Sequence, residues 1–297
     1  MVKYSLMTTF HSAIFDKFKA AADAGKLHHA HLFLGPKGVG KGRMALHIAY
    51  YLQGAADDVM QKKLMHDGVD VDTLLFLDNG ETLPIAEIRK LIARVQESHS
   101  KPYLVIVIEN ISRMRVESLN ALLKTLEEPR EGVIFFLTAN RDEEVLPTIR
   151  SRCQITNFQT LDDESLREVC DGHVYTEQLV HFAMGRPSKL KKLINDGVYF
   201  EAHQKIHQDL MLFLENPQLA KVFHLVRSYE KDEHLLELFD ILLWRVRGLA
   251  RSKDKALILK HLDFTEMLEN IEKAKEDLER NVNKRLVLEN LFIPFVP

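Results

Sequence analysis

Short apolar runs alternate with helical periodicities through the first half of the chain. Residues 31–34 (HLFL), 73–77 (TLLFL), 104–108 (LVIVI) and 133–137 (VIFFL) are continuous hydrophobic runs of strand length, the form taken by strands buried on both faces. Between them, Ile85, Ile88, Ile92 and Val95 recur at helical spacing behind Pro84, a residue suited to a helix's first turn. Leu119, Leu122, Leu123 and Leu126 form another apolar stripe, which Pro129 stops. Residues 43–53 (RMALHIAYYLQ) continue a further helix, while the polar stretch 54–72 predicts a connecting loop. Buried strands alternating with amphipathic helices predict an α/β domain with a parallel sheet covered on both faces, over residues 1–158.

Beyond that point the strand pattern vanishes. Residues 159–200 predict two or three short helices, and 201–297 predicts an all-helical domain. Its closing pattern, Ile271, Ala274, Leu278, Val282 and Leu286, predicts one long helix. The fold class expected is α/β followed by all-α, in three domains.

Composition narrows the function. With 297 residues and 46% hydrophobic positions, the chain has a core for two or three domains, which excludes disorder as its main state. Forty Lys and Arg stand against forty-three Asp and Glu, a net charge of −3. Tight binding to nucleic acid by this chain alone needs a basic footprint, and the balance argues against one. The two cysteines, Cys153 and Cys170, make no C-x-x-C pair, so a disulfide framework and a cysteine zinc site are excluded. No apolar run approaches a membrane span, and the opening MVKYSLMTTF lacks a secretory pattern; the expected location is the cytoplasm, with no membrane partner.

Candidate chemistry begins at Gly35-Pro-Lys-Gly38-Val-Gly40-Lys41-Gly42, which matches G-x-x-x-x-G-K-[ST] at every fixed position but the last. It follows a strand and opens a helix, the context in which backbone N–H groups make an anion-binding nest. Lys41 would reach the outer phosphates. Gly42 lacks the hydroxyl that normally goes to Mg²⁺. The strand 104–108 ends in Glu109-Asn110. Glu109 could stand near a metal or simply close the strand, and Asn110 cannot serve as a general base, since an amide has no useful proton affinity. Gly35, Gly38, Gly40, Lys41, Gly42 and Glu109 are thus a degenerate nucleotide site: hydrolysis is not expected, and ATP or ADP, if held, is held weakly. His28, His29 and His31 suggest a metal site, with His29 and His31 on one strand face, but no carboxylate or cysteine accompanies them and no metal is expected.

Three further segments carry a resemblance: Asn120-Ala-Leu-Leu-Lys-Thr-Leu-Glu-Glu-Pro129, Phe135-Phe-Leu-Thr138 and Leu146-Pro-Thr-Ile-Arg-Ser-Arg-Cys153. Together with Asn281–Leu291 near the C-terminus, they resemble AAA+ clamp-loader subunits, most closely the delta-prime class of bacterial DNA polymerase III. The resemblance implies a RecA-like domain (1–158), a small helical lid (159–200) and a helical collar for oligomerisation (201–297). It implies a stator in a loader that places the sliding clamp on primed DNA, beside motor subunits (gamma/tau) and the delta subunit.

In that family the arginine of Ser151-Arg152-Cys153 reaches the γ-phosphate of ATP on a neighbouring motor subunit. A guanidinium, always charged, suits that role. Three departures matter. Residues 42–104 contain no cysteine, so the zinc module common in the class is absent. In Gly185-Arg186-Pro187-Ser188-Lys189 the lid position of the motors' arginine is Ser188. Gly42 and Asn110 depart from the motor pattern. The rival readings are an ATP-hydrolysing motor subunit and a stand-alone binding module.

Overall fold

The computed structural model describes residues 11–170, 172–251 and 263–296. The chain divides into two compact units, Met1–Lys191 and Lys192–Pro297. In the first unit the order is α1 (Ser12–Asp23), β1 (Ala30–Leu34), α2 (Lys41–Leu52), α3 (Val59–His66), β2 (Thr73–Phe76), α4 (Ile85–Gln96), β3 (Leu104–Ile108), α5 (Val116–Glu127), β4 (Val133–Ala139), α6 (Pro147–Arg150) and β5 (Gln154–Asn157). The short helices α7 (Asp163–Val169), α8 (Thr176–Ala183) and α9 (Pro187–Asn195) follow. The boundary between units falls inside α9, so the helices expected as one lid over 159–200 are divided by it.

Among the described residues the strands form one sheet, ordered β2-β3-β4-β1-β5, and every pairing is parallel. Alternation along each strand builds two cores. Leu32, Leu104, Ile106, Ile108, Phe135 and Leu137 face α4 and α5, meeting Ile88, Leu91, Leu119 and Leu122. Phe33, Val105, Val107, Ile134 and Phe136 face the other way, onto Phe18 of α1, Met44, Ala45 and Ile48 of α2, and Met65. Both faces are dry, which is why the strands read as unbroken apolar runs.

Three expectations are corrected. Residues 54–72 are not merely a loop: Asp58 caps α3 by accepting from the Gln61 N–H at 3.0 Å, and Met65 anchors it in the core. The sheet has a fifth strand, β5, whose four residues are exposed or half-buried. Without an apolar run such an edge strand carries no hydrophobic signal. The closing pattern from Ile271 to Leu286 is broken. Helix α13 (Phe264–Glu279) ends before Asn281, which takes a left-handed φ of 60°, and Asn283 caps α14 (Lys284–Phe292). Val282 and Leu286 are exposed accordingly.

The second unit begins with α10 (Gly197–Glu215), α11 (Leu219–Tyr229) and α12 (Leu235–Arg251), ahead of α13 and α14. Its core includes Leu210, Phe213, Leu238, Phe239 and Ile271, with Phe213 edge-on to Phe292 at 5.2 Å. Trp244 is half-buried on α12.

Candidate functional site

The carboxyl ends of β1, β3 and β4 meet at one edge of the sheet, where α/β proteins place their ligands. Gly35 follows β1 and Gly40 is the N-cap of α2, with a left-handed φ of 103° that Gly alone adopts cheaply. Gly38 (φ 88°) turns the loop. Behind the loop lies a pocket of about 410 Å³, bordered by Gly38, Gly40, Lys41, Gly42, Glu109 and Asn140. The sequence-selected loop residues and Glu109 are therefore brought together.

Lys41 is buried, and its ammonium donates to Gly35 O at 2.6 Å, Pro36 O at 2.9 Å and Asn140 Oδ1 at 3.2 Å. Three N–H donors are thus matched to three neutral acceptors. Burial pushes the Lys41 pKa down to about 8, against the opposing pull of Glu144 and Glu109. A Cβ at Gly42 would collide with Glu109 Oε1, with Cδ 2.5 Å and Cγ 3.0 Å away, so a side chain there requires the Glu109 carboxylate to move. The other carboxylate oxygen, Oε2, accepts from the Asp78 N–H at 2.9 Å.

Asn110 closes the site in a left-handed turn, φ 55°. Its N–H donates to Thr138 Oγ1 at 2.8 Å and its amide to Asp78 Oδ2 at 3.0 Å. Sequence reasoning missed Asp78, Thr138 and Asn140 as pocket residues. The signal was present for the last two: they are polar residues closing the apolar run of β4. Asp78 follows β2 in a polar loop without distinguishing pattern. Ser188, at the lid position of the motors' arginine, donates its backbone N–H to Gly38 O at 3.1 Å and borders the pocket. At position 42 no hydroxyl is available for a metal, and the Glu109 carboxylate stands in its place.

Arg152 lies elsewhere. It stands two residues before β5, at the amino-terminal edge of the sheet, whereas the phosphate loop leaves the carboxyl end of β1. Those two strands run parallel, with His31 level with Gln154 and Leu34 with Asn157. Five strand residues at about 3.3 Å each separate the two edges by about 16 Å, beyond an arginine's reach. Its Nη2 pairs with Glu127 Oε2 at 3.0 Å and its Nη1 donates to Thr148 O at 3.0 Å. The two side chains border a polar cleft of about 800 Å³ that also includes Lys26, His28 and His29. Arg150, the other arginine of the motif, pairs with Asp142 instead.

The histidines do not share a strand face as expected. His29 precedes β1, and its Nε2 bonds to Leu126 O at 2.9 Å. His31 is fully buried, edge-on to Phe18 at 4.8 Å and stacked on Phe136 at 5.2 Å. Among the described residues no group of three or more His, Cys, Asp or Glu is placed to hold a metal. Cys153 is half-buried, and burial raises its thiol to about 12.

The chain is similar to subunits of DNA polymerase III. DNA polymerase III subunit tau of Escherichia coli K12 is 32% identical over 168 residues, covering 53% of this chain and 26% of tau. DNA polymerase III subunit delta′ of Bacillus subtilis 168 is 33% identical over 153 residues, 48% of this chain and 46% of that one. The chain thus spans less than half the length of either relative. A DNA polymerase III gamma subunit-related protein from Thermotoga maritima superimposes with a TM-score of 0.49 at 18% identity, over 94% of this chain and 98% of that one. Residues 10–162, more than half the chain, match the family model described as DNA polymerase III, delta subunit, and the chain belongs to that family.

Proposed function

We propose that this chain is the stator of a DNA polymerase III clamp loader, of the delta-prime kind. It contributes Arg152 to ATP bound on a neighbouring motor subunit and has no ATPase of its own. One observation carries the reading: Arg152 stands at the sheet edge opposite the chain's own phosphate loop, so any phosphate it meets belongs to another molecule. A cationic guanidinium aimed at a transferring phosphoryl group stabilises its charge without chemistry by the donor chain. Its partner Glu127 is more than half exposed, and such a pair is worth at most about 1 kcal/mol, so phosphate can displace the carboxylate.

The remaining assignments follow from that role. The partners are motor subunits of the gamma/tau kind and a delta subunit, with the sliding clamp and primed DNA met through the assembly, in the cytoplasm. No zinc or other resident cofactor is required. The balanced charge suits a subunit that meets DNA only in company.

The test is the DNA-stimulated ATPase of the loader reconstituted with wild-type chain and with Arg152→Ala. A rate near wild type at the site facing Arg152 refutes the assignment. Mg²⁺-dependent ATP turnover by the isolated chain identifies a motor subunit instead.

A further inference from the structure

We propose that the phosphate loop is plugged by the chain's own Glu109, and that Gly42 and Glu109 act as one coupled pair. The carboxylate occupies the space that a Ser or Thr side chain at position 42 would need. A residue whose side chain is a hydrogen thus faces a carboxylate that fills the space beside it.

Glu109 is held in that posture. Its Oε2 accepts the Asp78 N–H, and Asp78 in turn accepts from the Asn110 amide and pairs with Arg113 at 3.5 Å. The Arg113 guanidinium also donates to the Glu109 carbonyl, at 3.1 Å from Nη2. Gly42 lies in the first turn of α2, so the carboxylate rests at the positive end of a twelve-residue helix, where an anion is stabilised. A negative charge already there opposes the negative charge of a phosphate entering without its metal, and the carboxylate stands where the metal-binding hydroxyl belongs. Lys41 turns back onto its own loop, its N–H groups donating to Gly35, Pro36 and Asn140.

Restoring a hydroxyl alone therefore does not restore the site. In the Gly42→Ser variant the added atoms meet the carboxylate. Glu109→Asp withdraws the carboxylate by one methylene but supplies no hydroxyl. Only the pair together reopens the loop. The inference deepens the stator reading and rests on it only in treating the loop as a former nucleotide site.

The experiment uses the full chain and a fluorescent ATP analogue, with Mg²⁺ or with EDTA. Expected is a gain of at least about tenfold in affinity for Gly42→Ser/Glu109→Asp over wild type, abolished by EDTA, with each single variant within about threefold of wild type. A double variant that keeps the wild-type circular dichroism and binds no better overturns the proposal. So does wild-type chain that binds Mg²⁺-nucleotide as tightly as the double variant.

A second measurement needs no ligand. Gly42→Ala should lower the unfolding midpoint when Glu109 is present and raise it in a Glu109→Ala background, where helix propensity alone acts. Equal shifts in the two backgrounds also overturn the coupling. Neither measurement involves the assembled loader, so a failure of the Arg152 assignment leaves them readable.

Discussion

His31 makes a quantitative prediction about the sheet that carries both sites. The imidazole is fully buried between Phe18 and Phe136, and neither ring nitrogen makes a hydrogen bond of good geometry, the His28 backbone being the one polar group close enough to act on it. Burial above all, opposed by the His28 backbone and aided by the charges of His28 and His29, lowers its pKa from 6.5 to about 4. Because the folded pKa lies below the unfolded one, the unfolded chain takes up the proton first as pH falls. Stability is complete above pH 6.5 and is lost progressively toward pH 4. At about 1.4 kcal/mol for each pH unit between 6.5 and about 4, the full effect is roughly 3–4 kcal/mol, of which about 2 kcal/mol is lost between pH 7 and pH 4.5.

The perturbation is His31→Phe, which keeps a ring between the two phenylalanines and removes the titrating group. Urea unfolding of the full chain, followed by circular dichroism at pH 7 and pH 4.5, compares the two proteins. Every other titrating group is common to both, so the difference of differences isolates His31 and should be about 2 kcal/mol. At pH 7 the variant should also be more stable by about 1–3 kcal/mol, because two unpartnered ring nitrogens leave the core. Equal acid-induced losses in the two proteins would refute the burial argument.

Arg152→Ala should cut ATP hydrolysis at the site it faces by about 10³-fold, read in single-turnover assays of the loader, and Arg152→Lys should rescue it only in part. Glu127→Ala, by contrast, should change the unfolding free energy by less than about 1 kcal/mol, since the pair is partly exposed. Lys41→Ala should leave loader ATPase unchanged while costing about 1–3 kcal/mol in urea unfolding, because Gly35 O and Pro36 O lose a buried donor. The Cys153 thiol, with its pKa near 12, should resist iodoacetamide at pH 7 in the folded chain and react only on unfolding.

The chain's local pattern determined the parts whose burial is one-dimensional. Three strands buried on both faces, and the half-buried β2, leave unbroken apolar runs, and α4 and α5 leave helical stripes, so the parallel sheet and its helices could be read directly. The loop Gly35–Gly42 was equally legible, because a backbone nest demands glycines at fixed spacing and Lys41 beside them. Elements that owe their form to partners distant in sequence were not legible. Strand β5 is an edge strand without an apolar face, α3 is a polar helix anchored mainly through Met65, and the last long helix is cut by the left-handed Asn281. The sequence could show that Gly42 lacks a hydroxyl and that Asn110 cannot act as a base. Only the tertiary structure decided that the Glu109 carboxylate fills the missing side chain's space, and that Arg152 stands across the sheet from its own loop. Both are distances between segments tens of residues apart, fixed by strand order and register rather than by any local pattern.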